Sequence, residues 1–171
     1  MSQDTILVPV DYTGCAYEVA ATGADLAGRL KAEVVLLFVV KLPAGLRPET
    51  MIHPHGSGEA VSAARYLDED AKVHLEPIAA IFRDAGCPVR VALQHGEVAQ
   101  AILATAREVQ ATMIIMGTHG RQGLRRVLEG SVAEAVMRQA VCPVMVVRAQ
   151  NPEAHPGLSE AQEQVLDETV G

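Results

Sequence analysis

The residues best placed to do chemistry lie between Met113 and Val147. An apolar run, Met113-Ile114-Ile115-Met116, spills into Gly117-Thr118-His119-Gly120-Arg121-Gln122-Gly123. Gly130-Ser131-Val132 then opens a helical pattern, and Cys142-Pro143-Val144-Met145-Val146-Val147 closes the stretch. Glycines let the backbone come close to a phosphate, and the free N–H groups at a helix start attract negative charge. The chemistry indicated is anion binding. The spacing Gly117-x2-Gly120-x9-Gly130-Ser131 is not a Walker A loop, because no Gly-Lys-Ser/Thr follows a four-residue gap, and it is not G-x-G-x-x-G.

Other reactive residue types do not assemble into sites. His53 and His55 sit in a Pro- and Gly-rich segment, and no cysteine is spaced to join them or His74 as metal ligands. His95-Gly96-Glu97 matches the H-x-E of zinc deaminases, but the Pro-Cys-x-x-Cys that must accompany it is missing. Cys142 has no His or Asp partner placed for nucleophilic work and reads as a packing residue. Arg125 and Arg126 read as a solvated face.

The elements that must position the glycine loop follow from hydrophobic patterning. Five apolar runs read as strands: 6–10, 34–40, 89–93, 113–116 and 144–147. Between them, helical periodicity appears after Ala16, with Thr13 as its expected cap, from Ala60, from Val98, and from Ser131 to Ala140. Pro77 is expected to kink or divide the second helix, and Gly86 to stop it. Residues 41 to 58 hold Pro43, Pro48 and Pro54 and read as a loop. Strand and helix alternate throughout, which specifies an α/β domain with a doubly wound five-stranded parallel sheet and helices on both faces. The expected strand order is 3-2-1-4-5 in chain order. In such a sheet ligands sit beyond the carboxyl ends of the strands where the winding reverses, here between the first and fourth. Asp11 and the Gly117 loop both fall there. Asp11 is read as a ligand contact, the alternative being a residue that only starts the helix.

Composition narrows the class. The chain has 171 residues, 49% of them apolar, with three tyrosines, two phenylalanines and no tryptophan. Its core must therefore be aliphatic, as in a buried parallel sheet. The net charge of −7 argues against a nucleic-acid partner or an anionic membrane surface. No apolar run is long enough for membrane insertion and no signal peptide is evident, so a cytoplasmic location is expected. Three cysteines without C-x-x-C read as free thiols in a reducing compartment. The organisation expected is a domain over residues 1–148 and an acidic tail over 149–171, flexible or loosely docked.

With these residues in place, the chain resembles the universal stress protein family, of the single-domain ATP-binding type. The resemblance rests on the long glycine motif, on Val8-Pro9-Val10-Asp11, on Leu37-Phe38-Val39-Val40 and on Cys142 to Val147. It implies an adenine nucleotide alpha hydrolase-like fold. It also implies a nucleotide site built from Pro9, Val10, Asp11, Val39, Met116, Gly117, His119, Gly120, Arg121, Gly130, Ser131 and Val132. Asp11 would face the ribose or adenine, and Val39 would offer backbone hydrogen bonds to the base. Met116, Gly117, His119, Gly120 and Arg121 would wrap the ribose and phosphates, His119 through its backbone or its imidazole. Gly130, Ser131 and Val132 would hold the α- and β-phosphates. The cofactor implied is ATP, or ADP or AMP, with Mg²⁺ or Mn²⁺ bound through the phosphates. The partners implied are the adenine nucleotide, a second copy paired through Val144, Met145, Val146 and Val147, and an unidentified regulated protein.

The expected activity is a dimeric, nucleotide-dependent regulatory module in stress response. The alternatives are a slow ATPase or phosphotransfer enzyme on the same site, or a nucleotide-free adaptor. No general base is evident near the phosphates, Glu129 and Glu134 being the nearest carboxylates, so no catalytic residue is assigned and efficient turnover is not expected.

Overall fold

The computed structural model describes residues 4–54, 58–118 and 132–148. A parallel sheet is formed by β1 (Thr5–Val10), β2 (Glu33–Val40), β5 (Val89–His95), β6 (Met113–Thr118) and β7 (Val144–Arg148). Its order is β5-β2-β1-β6-β7, which is the 3-2-1-4-5 order expected once the strands of this sheet are counted in chain order. The helices are α1 (Cys15–Leu30), α2 (Ala63–Asp84), α3 (Val98–Glu108) and α4 (Val132–Gln139).

The continuous apolar strands are explained by the two layers they face. Side chains alternate across a strand, so Ile6, Val8, Val34, Leu36, Phe38 and Val40 face the core shared with α1 and α2. Leu7, Val35, Leu37, Val39, Ile114 and Met116 face the core shared with α3 and α4. At the crossing of α1 and α2 the Phe82 ring, fully buried, lies 3.2 Å from where a Gly23 β-carbon would stand. Truncating a ring so enclosed costs about 3–5 kcal/mol. The edge strand β5 is wetter, as its alternating sequence requires.

Three helices end in the same way and hand the chain directly to the next strand. After α1, the Ala32 N–H donates to the Ala27 carbonyl and Lys31 N–H to Gly28, with Lys31 at φ 54°. After α2, Cys87 donates to Phe82 and Gly86 to Arg83, with Gly86 at φ 74°. After α3, Ala111 donates to Ala106 and Gln110 to Arg107, with Gln110 at φ 51°. Each is a Schellman motif, in which one left-handed residue satisfies the last orphan carbonyls. Only the second uses glycine.

Two local expectations are corrected. The segment over 41–58 is not all loop. Its chain folds back on the core, and β3 (Met51–Ile52) pairs antiparallel with β4 (Val61–Ser62). Ile52 is buried beneath α2, and Leu42 and Leu46 pack beside it. Pro77 does not divide α2, which runs unbroken for 22 residues. The proline removes one backbone donor, and the helix keeps its place because Leu67, Ala71, Leu75, Ile78 and Phe82 are buried along one face. Among the described residues no helix is long and apolar enough to cross a membrane.

Candidate functional site

The crevice expected at the winding reversal is visible in the ladder register. β1 pairs with β2 along its full length, from Thr5↔Glu33 to Val10↔Phe38. With β6 it pairs only at Ile6↔Met113 and Leu7↔Ile114. β6 stays with β7 as far as Thr118↔Arg148. The carboxyl ends of β1 and β6 therefore part, with β2 and β7 each following its own neighbour. This is where a doubly wound sheet receives a ligand.

Pro9 and Val10 complete β1 on one wall, and Val39 lies near the end of β2 beside it. Met116 and Gly117 form the other wall, within β6. Val39 and Met116 turn their side chains to the α3–α4 core, so what they can present to the crevice is backbone. Val132 begins α4 and packs on the same core. Among the expected site residues, Pro9, Val10, Val39, Met116 and Gly117 thus lie toward the ends of the strands that border the crevice, Asp11 directly follows β1, and Val132 opens α4. His119, Gly120, Arg121, Gly130 and Ser131 lie outside the described residues.

Asp11 organises the turn that leaves β1. Its Oδ1 accepts from the Thr13 N–H at 3.0 Å and from the Thr13 hydroxyl at 2.6 Å. Thr13 therefore does not cap α1 with its side chain. The N-cap is Gly14, in a helical conformation and, having no side chain, without a side-chain cap hydrogen bond. An aspartate that folds its own turn in this way holds its carboxylate in a fixed direction.

Gly117 is required for a reason the loop motif does not reveal. It belongs to the sheet, opposite Val147, and a β-carbon there would collide with Cys15 Sγ at the start of α1. The absent side chain lets the start of α1 pack directly against β6.

Two further links hold the strand ends. The Tyr12 hydroxyl donates to Asp70 Oδ2 on α2 at 3.2 Å, and its ring packs on Phe38 with centroids 4.5 Å apart. His95, ending β5, places Nε2 3.1 Å from Asp68 Oδ1 on the same helix. An open cleft of about 290 Å³ between β2 and β5 is lined by Val40, Lys41, Leu42, His95 and Gly96. None of the expected site residues lines it. Beside it, the Glu97 carboxylate caps α3, accepting from the N–H groups of Ala99 and Gln100. The Gln100 N–H first, then that of Ala99, holds its pKa below the usual glutamate value. Tyr12, Asp70 and His74 were not legible as a group, since 58 positions separate the tyrosine from its aspartate. The Asp-x-Thr spacing, by contrast, does carry the turn signal.

A doubly wound sheet whose first and fourth long strands part beside a turn-forming aspartate is the kind of α/β domain that receives a ligand at that crevice. The family model of the universal stress protein family matches residues 3–148. The chain belongs to that family. It is 32% identical over 148 residues to universal stress protein MJ0531 of Methanocaldococcus jannaschii, covering 86% of this chain and 84% of that one. The solved structure of the protein MJ0577 is 26% identical, with a TM-score of 0.63 over 88% of this chain and 99% of that one. A universal stress protein from Archaeoglobus fulgidus, solved in complex with dAMP, is 23% identical with a TM-score of 0.61, over 85% of this chain and 98% of that one.

Proposed function

We propose that this protein is an ATP-binding universal stress protein that works as a cytoplasmic, homodimeric, nucleotide-dependent regulatory module in stress response. The observation that carries the reading is the motif Gly117-x2-Gly120-x9-Gly130-Ser131, which starts on the β6 wall of the crevice and ends where α4 begins. Backbone N–H groups at such a helix start, with the Ser131 hydroxyl, suit the α- and β-phosphates. Pro9, Val10, Asp11 and Val39 are assigned to ribose and adenine, and Met116, Gly117, His119, Gly120 and Arg121 to ribose and phosphates. That an Archaeoglobus fulgidus relative of the same fold holds dAMP supports an adenine nucleotide as the ligand class.

Among the described residues no three His, Cys, Asp or Glu side chains converge on a cation position. A Mg²⁺ or Mn²⁺ ion is assigned to the phosphate oxygens, the usual partners of these hard cations with nucleotides. Holding is favoured over turnover because Glu134, in the first turn of α4, is tied to Arg138 one turn on. One of its carboxylate oxygens is thus engaged, and no motif marks it as a general base.

The test is the nucleotide content of the purified protein, by acid release and chromatography, followed by Mg-ATP titration of the stripped form. Bound or saturably titrated adenine nucleotide supports the reading, and the recovered ATP-to-ADP ratio separates a holder from a slow ATPase. Gly120→Val should abolish binding with the far-UV circular dichroism unchanged. Absence of binding at about millimolar ATP, a free energy near −4 kcal/mol, overturns the site and leaves the adaptor.

A further inference from the structure

Gly14 gives α1 no side-chain cap, and Asp11 is braced by Thr13 within the same turn. A long-range tie comes from Tyr12, the residue after Asp11. Its hydroxyl donates to Asp70 Oδ2 at 3.2 Å. The other oxygen, Oδ1, lies 3.3 Å from His74 Nδ1, and that same nitrogen is 3.0 Å from the Asp70 backbone carbonyl. The His74 ring meets the Tyr12 ring edge-on at 5.2 Å. Asp70 is thus held from behind by its own helix and faces the tyrosine with its side chain mostly buried, 14% exposed.

We propose that Asp70 is a positioning residue for nucleotide binding, acting through Tyr12 on the Asp11 turn, with His74 fixing the Asp70 carboxylate. The inference rests on the nucleotide site proposed above and adds to it a contact from α2, 58 positions away in the chain. The hydrogen bond to Asp70 sets where the Tyr12 ring sits along Phe38. The same helix supplies an internal control. Asp68, two residues earlier, has Oδ1 3.1 Å from His95 Nε2, but at the end of β5, which β2 separates from β1.

The experiment is isothermal titration of the full chain with Mg-ATP beside thermal melts of each variant. Tyr12→Phe and Asp70→Ala should each weaken binding about 5- to 10-fold, within the net worth of one ordinary hydrogen bond. The double variant should be no weaker than either single one. Asp70→Asn, which still accepts from the tyrosine, should bind within about twofold of the parent, and Asp68→Asn should bind as the parent does. Tyr12→Phe binding at parental strength overturns the proposal. So does Asp68→Asn weakening binding as much as Asp70→Ala at an equal loss of melting temperature, since that would be general loosening of α2. If the parent itself binds no ATP, the nucleotide reading has failed and this inference falls with it.

Discussion

Gly117 and Cys15 compete for one volume: a β-carbon on Gly117 would overlap the Cys15 sulfur and meet Val19 Cγ2 at 3.0 Å. Both neighbours belong to the buried face of α1, so neither can retreat to solvent. Gly117→Ala should therefore destabilise the fold by about 1–3 kcal/mol, the range for overpacking a filled core. The cost should shrink in a Cys15→Ala background, where the sulfur is gone. A urea-denaturation cycle of the two single variants and the double should give a coupling of at least about 0.5 kcal/mol. Additive costs would mean that the clash is relieved elsewhere.

This pair marks what could be read from the sequence and what could not. The five long strands, their order and the place of the reversal follow from apolar runs such as Val34–Val40 and from the alternation of strand with helix. The two-residue strands Met51–Ile52 and Val61–Ser62 are too short to show a period. The expectation at Thr13 differs because the helix begins at Cys15, which makes Gly14 the N-cap, while Thr13 belongs to the turn that Asp11 closes. The packing role of Gly117 and the link from Tyr12 to Asp70 depend on tertiary distances that no local pattern encodes.

Lys31 and Gln110 occupy left-handed positions, φ 54° and 51°, that Gly86 fills after α2. A side chain there strains against the following carbonyl. Lys31→Gly and Gln110→Gly should each stabilise the domain by about 0.5–1 kcal/mol, less whatever the extra freedom of glycine returns to the unfolded chain. The measurement is the denaturant midpoint with an unchanged slope. A lower midpoint for both would show that the unfolded-state entropy dominates.

The Glu97 carboxylate accepts from the Gln100 N–H at 2.8 Å and from the Ala99 N–H at 3.1 Å. These donors, with a smaller contribution from Lys41, depress its pKa in the folded state. Its contribution to stability is therefore present above the ordinary glutamate range. It is lost as pH falls from there through the depressed folded value. Glu97→Gln should flatten that part of the acid limb of stability against pH and leave the slope near neutrality unchanged. An unaltered acid limb would mean that the cap carries no charge-dependent stability.

The three thiols should differ in how they react. Cys15 and Cys87 are buried, and the Cys87 thiol donates to the Ala24 carbonyl at 3.5 Å. Cys142 is partly exposed, but burial pushes its pKa up. The thiolate is the nucleophile, so at pH 8 Cys142 should alkylate more slowly than a small free thiol. Cys15 and Cys87 should alkylate only on unfolding. Mass spectrometry of iodoacetamide-treated protein, with and without denaturant, reads all three. Fast labelling of Cys142 in the native protein would contradict the desolvated environment assigned to it.

β7 has β6 on one side and forms the sheet edge on the other. Met145 and Val146 are 41% and 36% exposed there, and Val141, just before the strand, is 78% exposed. An apolar edge of this kind invites pairing with another strand, because its outer N–H and C=O groups have no partner in the sheet and its side chains gain by leaving water. The strand ends in Arg148, and a second copy approaching antiparallel would set each arginine beyond the partner's Val144 instead of against the other arginine. Sedimentation should therefore find a dimer, and Val146→Arg should convert it to a folded monomer by burying an unpaired charge in the contact. Arg148→Ala should leave the dimer intact. A parent that sediments as a monomer at tens of micromolar, about −6 kcal/mol or weaker on the association scale, would rule out the edge as a stable interface.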